Sequence, residues 1–183
     1  MKPIAFIFLF SLLLSGYQQE EIPKDIRKKI NSIDSLLIIQ STVRDSFNSD
    51  ETWYLQDVNY EIADALVDLL SDERTWQIDT KWLPCYSCQS PDKKIRCFVW
   101  YENTGGSWFS NCSVIQYKTL NGKTFAHSFM DGLMHNGEYY ESVYKLKSKN
   151  NLYLIKASVR GCNTCCAEMM YVLQLAKDSA NFN

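Results

Sequence analysis

Apolar positions near the start of the chain recur at helical spacing, and further along they crowd into short β-branched and aromatic runs. Ile22, Ile26, Ile30, Ile33 and Leu37 step by three or four residues, which stacks them on one helix face. Lys24, Asp25, Arg27, Lys28 and Lys29 fall largely outside that face. Pro23 is compatible with this helix because it sits in the first turn, where its missing N–H has no partner to lose. The polar stretch from Ser41 to Glu51 predicts a loop. A second helix is expected over Asn59 to Ser71, burying Ile62, Leu66, Leu69 and Leu70, with Asp57 or Asn59 capping its first N–H groups.

From Trp82 onward the pattern changes to strands. Ser90-Pro91-Asp92-Lys93 is a turn sequence, since Pro presets φ and Asp can bond back to the backbone. Ile95 to Glu102 (IRCFVWYE) then predicts a strand, Asn103-Thr104-Gly105-Gly106 a reversal, and Trp108 to Tyr117 the returning strand. Asn121-Gly122 marks another hairpin turn before Lys123 to Phe129. Tyr139 to Leu146 and Leu152 to Val159 flank Ser148-Lys149-Asn150-Asn151, and Glu168 to Leu175 is the last strand. The expectation is an α+β fold: two N-terminal helices packed on an antiparallel meander sheet of about six strands. The helical part spans 20–75 and the β part 82–176 of a single domain over 17–183.

The extreme N-terminus carries a different signal. Lys2 precedes an apolar run from Ile4 to Leu14, which is signal-peptide length and short of the roughly 20 residues a bilayer span requires. Gly16 suits the position before a cleavage point, so residues 1–16 are expected to be removed on export. Leu14-Ser15-Gly16 also opens like a lipoprotein signal, but Tyr17 stands where the lipid-bearing Cys is required. The mature protein is therefore expected to be secreted or periplasmic, without a membrane span of its own. Its 18 basic residues (19 less Lys2) face 21 acidic ones, a balance that argues against nucleic acid as partner. Lys93, Lys94 and Arg96 form the densest basic spot, beside a turn, and read as a solvated loop.

The elements Ser90-Pro91-Asp92-Lys93-Lys94-Ile95-Arg96, Trp100, Thr104-Gly105-Gly106 and Ile115-Gln116-Tyr117 carry a resemblance. Over Asn59 to Val159 the chain resembles uncharacterised exported proteins of Bacteroidetes, in which a helical part precedes a similar succession of turns and strands. The resemblance implies an extracytoplasmic compartment and transfers no catalytic residue.

Seven cysteines lie in the β half, and export favours disulfides. A symmetric turn at Asn103 to Gly106 would set Cys97 opposite Cys112, Ile95 opposite Val114 and Trp100 opposite Phe109, bringing Cys97 and Cys112 within disulfide reach. The others form two clusters, Cys85-Tyr86-Ser87-Cys88 and Cys162-Asn163-Thr164-Cys165-Cys166. Disulfides between the clusters would staple the sheet and leave one odd thiol. The C-x-x-C spacing also admits redox exchange, although no helix follows either motif to depress a thiol pKa. Four thiolates could in principle hold zinc, at a separation far longer than in compact zinc ribbons.

Other chemistry is weakly represented. His127, Asp131 and His135 stand four apart, but Gly132 and Asn136-Gly137 place them in a loop between strands and not on a helix. Gly105-Gly106-Ser107 begins like a nucleophile elbow, yet Phe109 occupies the place of the second Gly. The acids Asp131, Glu138 and Glu141 read as loop acids rather than a glycosidase pair. Among Trp53, Trp76, Trp82, Trp100 and Trp108, the Trp108-Phe109 pair beside the double glycine is the best candidate for ligand-contacting rings. No catalytic residue, metal site or cofactor is predicted. The expected function is a non-enzymatic binding domain for a glycan, peptide or envelope protein, with C-x-x-C redox chemistry as the alternative.

Overall fold

A computed structural model describes residues 22–43, 49–103 (49–53 as backbone), 110–130, 138–147, 151–160 and 165–182. Helix α1 runs Lys24–Val43 and α2 runs Ser49–Leu70. The first helix buries Ile26, Ile30 and Ile33 as its periodicity requires, and continues to place Gln40 on the same face, buried. The second begins ten residues before the expected start at Asn59. Leu55, Val58, Asn59, Ile62, Leu66 and Leu69 form its buried stripe, so Asn59 is a mid-helix residue and not the expected cap. Its side-chain amide meets its hydrogen-bonding demand across the fold, which is what allows a polar residue into the stripe.

Two short 3₁₀ turns, Glu73–Gln77 and Thr80–Trp82, lead out of the helices, each opened by an aspartate that accepts a backbone N–H: Asp72 from Arg74 and Asp79 from Lys81. Strands β1 (Tyr86–Gln89), β2 (Ile95–Tyr101), β3 (Asn111–Lys118) and β4 (Thr124–Ser128) form one antiparallel sheet in that order. Strands β5 (Tyr139–Lys145), β6 (Leu152–Arg160), β7 (Cys166–Leu175) and β8 (Ala180–Phe182) form a second. The expected α+β class holds, but the described residues carry eight strands in two sheets instead of about six in one. The two additional strands, β1 and β8, have only four and three residues, too few to declare a period of two.

The layering follows from β2 and β3, which are buried on both faces over most of their length. Phe98, Trp100, Cys112 and Val114 point into the core shared with α1 and α2. Ile95, Cys97, Val99, Ile115 and Tyr117 point the other way, into a second core with Tyr140, Val143, Tyr153, Ile155, Ala157, Leu173 and Leu175. The first sheet is thus the middle layer, with helices on one side and the second sheet on the other. An apolar run without alternation, such as IRCFVWY, demands cover on both faces. Among the described residues no helix is long and apolar enough to cross a membrane.

Polar ties lock these layers. Buried Arg96 donates from Nε to Gln89 Oε1 (2.9 Å) and from its terminal nitrogens to the carbonyls of Thr75 (2.9 Å) and Trp76 (2.7 Å). Gln116 Nε2 donates to Leu70 O and to Thr75 Oγ1, both at 2.7 Å. Together they fasten the end of α2 and the following turn to the sheet. In the β1–β2 turn it is Ser90, not Asp92, that bonds back to the backbone, its Oγ accepting from Lys94 N and Ile95 N. Asp92 instead reaches the second sheet, accepting from Tyr153 Oη (2.8 Å) and pairing with Lys145 Nζ (2.9 Å). The expected Asn121-Gly122 turn is present, with Gly122 at φ 79°, where a side chain would be strained.

The expected hairpin register is overturned. β2 and β3 pair Tyr101 with Asn111 and Trp100 with Cys112, so Cys97 faces Ile115 and Ile95 faces Tyr117. Cys97 and Cys112 lie on opposite faces of the sheet, in different cores, and cannot be bridged. A register that depends on the length of the connection cannot be read from a turn motif alone. Cys85, Cys88, Cys97, Cys112 and Cys166 are free thiols, and Cys165 is disulfide-bonded. No disulfide joins two described cysteines, so the expected stapling between clusters is absent among the described residues.

A neutral aromatic cleft as the candidate functional site

One end of the middle sheet opens into a cleft of about 340 Å³. Its floor is the end of β2, Val99, Trp100 and Tyr101, where the apolar strand runs out beneath the helices. Leu37 and Gln40 of α1 form one wall, and Pro84, Cys85 and Tyr86 at the entry to β1 form another. Asn103 and Asn111, at the two described ends of the β2–β3 connection, and Tyr139 at the start of β5 complete it. None of these lining residues is charged at neutral pH.

The polar side of the cleft is held from beneath by a buried amide network. Asn59 Oδ1 accepts from Gln40 Nε2 and from Trp100 Nε1 (2.9 Å), while Asn59 Nδ2 donates to Leu55 O and Glu102 O, both at 2.8 Å. Gln40 Nε2 also donates to Tyr101 O (3.0 Å), and Asn103 Nδ2 donates to Gln40 Oε1 (3.0 Å). Asn103 adopts φ 61°, a left-handed conformation that Asn tolerates better than most residues. Two helices and the end of β2 therefore fix the orientation of the amides.

The aromatic side is Tyr86 and Tyr139, whose ring centroids lie 4.6 Å apart at 34°. Tyr86 is 44% exposed, and its hydroxyl donates to Glu141 O at 3.4 Å. Burial, followed by the neighbouring Tyr86 phenol, pushes Tyr139 up to about 12, and burial pushes the Cys85 thiol up to about 12. Both groups stay protonated across the physiological range. Among the described residues the cleft offers ring faces and amide donors and acceptors.

The predicted site residues are scattered. Trp108, Phe109, Ser107, Asp131, His135 and Cys162 lie outside the described residues, as do Met1 to Tyr17 and the side chain of Trp53. His127 stands on β4, its ring edge-on to Phe129 at 5.0 Å. Glu138 accepts from Tyr171 Oη, and Glu141 pairs with Lys156 at 3.0 Å, so each acid has a partner within the second sheet. Trp76 packs under Arg96 and Lys118 and donates to Thr124 Oγ1. Trp100 forms the cleft floor, and Trp82 is 47% exposed.

The cysteine clusters do not converge. Cys85 packs against the helix-side core and Cys88 against the core between the sheets, because residues three apart in an extended chain point to opposite faces. Cys112 is buried among the helices, where desolvation pushes its thiol far up, and Cys166 is exposed at the start of β7. Among the described residues no group of three or more His, Cys, Asp and Glu side chains gathers for a metal.

Sequence reasoning did not single out Gln40, Tyr86, Asn111 or Tyr139. Gln40 follows Leu37 by three positions on the apolar stripe of α1, a signal available in the sequence but indistinguishable there from the helix's polar end. No family model, no curated protein and no solved structure matches the chain.

Proposed function

We propose that this chain is an exported, non-enzymatic binding domain, and that its cleft takes an uncharged ligand with flat apolar faces and hydrogen-bonding edges, a glycan foremost. The observation that carries the reading is that, among the described residues, the cleft is lined by the rings of Tyr86, Tyr139 and Trp100 together with the amides of Gln40, Asn103 and Asn111, and by no charged side chain. Sugar rings pair apolar C–H faces with hydroxyl rims, and aromatic faces beside fixed amides suit both at once. Export itself rests on the N-terminal signal and on the resemblance to exported Bacteroidetes proteins.

The alternative of C-x-x-C redox chemistry finds no support at Cys85 and Cys88, whose thiols point into different layers.

The test is a glycan array probed with the full-length mature chain, followed by titration of any hit against Tyr86→Ala. Truncating that ring should weaken binding about tenfold, a loss of about 1.4 kcal/mol. If peptides compete as well as glycans do, the ligand class is wrong. Binding unchanged in Tyr86→Ala places the site elsewhere.

A further inference from the structure

Cys88 and Cys97 are the one pair of described thiols that the fold sets face to face. β1 and β2 pair antiparallel with Cys88 directly opposite Cys97. Ser90 N donates to Ile95 O in the same register, and hydrogen-bonded pairs alternate along an antiparallel ladder, so Cys88 and Cys97 form such a pair too. Paired positions of that kind lie about 5.5 Å apart between Cα atoms, inside the range a disulfide spans. Both side chains point into the core between the sheets, where Cys97 is fully buried and Cys88 is packed against it, partly open to solvent. Cys85 and Cys112 lie on the other face of the sheet and do not compete.

We propose that Cys88 and Cys97 are a disulfide-forming pair, closed by thiol–disulfide exchange with an external disulfide, whether a small molecule or a protein oxidant. The Cys88 thiolate attacks one sulfur of that disulfide, and the first external thiolate leaves. Cys97, losing its proton, then attacks the Cys88 sulfur of the mixed disulfide and expels the second external thiolate. One S–S bond breaks and one forms. The cysteine pair gives up two electrons and two protons, and the external disulfide is reduced to two thiols.

The order follows from access, since only Cys88 is reachable from solvent. The electrostatics agree. A hydrogen bond from the Cys97 thiol lowers the Cys88 pKa, while burial raises that of Cys97. The product would tie the four-residue edge strand β1, which carries Tyr86, to its neighbour in a fixed register.

The test exposes the reduced, full-length mature chain to oxidised glutathione under native conditions, then alkylates, digests with trypsin and maps the linkage by mass spectrometry. Cleavage after Lys81, Lys93, Arg96 and Lys118 leaves Cys85 with Cys88 on one peptide and Cys97 with Cys112 on another. Fragment ions must therefore assign the bond, and the variants C85A and C112A provide the same assignment independently. The expected result is a Cys88–Cys97 link that persists in both variants and is lost in C88S, whose position is partly exposed and tolerant of the change. A link that runs through Cys85 or Cys112 overturns the proposal. So does a stable glutathione adduct on Cys88 without closure, or no reaction at Cys88 while the exposed Cys166 is modified.

Discussion

Replacing Asn59 with Ala tests the amide network that underlies the cleft. The change deletes two acceptor contacts, from Gln40 and Trp100, and two donor contacts, to Leu55 O and Glu102 O. The losses are unequal. Gln40 Nε2 keeps Tyr101 O and Glu102 O as acceptors, whereas the indole N–H of buried Trp100 loses the acceptor that Asn59 supplies. An orphaned buried donor costs about 1–3 kcal/mol, and the weakened contacts to Glu102 O and Gln40 add about 1 kcal/mol more. The better helix propensity of Ala returns about 0.5 kcal/mol. A net loss of about 2.5 kcal/mol is expected, which at a slope of about 2 kcal/mol per molar urea lowers the midpoint by about 1.2 M. Urea titrations followed by far-UV circular dichroism measure it without relying on indole fluorescence. The decisive arm is a double-mutant cycle with Trp100→Phe, which removes the N–H before it can be orphaned. In that background Asn59→Ala should cost less by about 1–2 kcal/mol. Additivity within about 0.5 kcal/mol, or a single-mutant loss below about 1 kcal/mol, would refute the reasoning.

Three further outcomes are expected. Asp92, despite burial that raises its pKa, is held down from 3.8 to about 2 by hydrogen bonds from Lys145, Tyr153 and Ser90. A folded pKa below the unfolded one stabilises the protein above about pH 4 and ceases to do so as pH falls toward 2. Asp92→Asn should therefore flatten stability measured between pH 4 and 2, by about 1 kcal/mol after solvent screening, and an unchanged acid limb would remove this link between the sheets. Arg96→Lys replaces a three-pronged fork with a single ammonium that cannot reach Gln89, Thr75 O and Trp76 O together, and should cost about 2 kcal/mol in thermal denaturation. Because the cation is buried, that loss should hardly change between low and high salt. Lys156 bridges Glu141 and Glu168 on the open face of the second sheet, and Lys156→Met should change stability by no more than about 1 kcal/mol, with salt eroding what difference there is.

Local patterning determined a good deal about this protein. The three- and four-residue steps from Ile22 to Leu37 place the apolar face of α1, because side chains at that spacing lie on one side of a helix whatever it packs against. The β-branched and aromatic runs locate six of the eight strands among the described residues, and Asn121-Gly122 and Ser90 to Lys93 mark their turns, since these residues limit φ and ψ wherever they occur. Tertiary structure decided the rest. A period of two says which residues share a face but not what covers it, and only the tertiary structure puts Val99 and Ile115 in one core with Ile155 and Leu173 of the second sheet. Register rests on the length of the connection between strands, and so Cys97 meets Cys88 on one side and Ile115 on the other instead of Cys112. Gln40 and Asn59 are polar residues on apolar stripes, and only partners far along the chain, Trp100 and Tyr101 to Asn103, turn two local exceptions into the support of a cleft. Burial of a polar group is a property of the pair, and the sequence of either partner alone does not contain it.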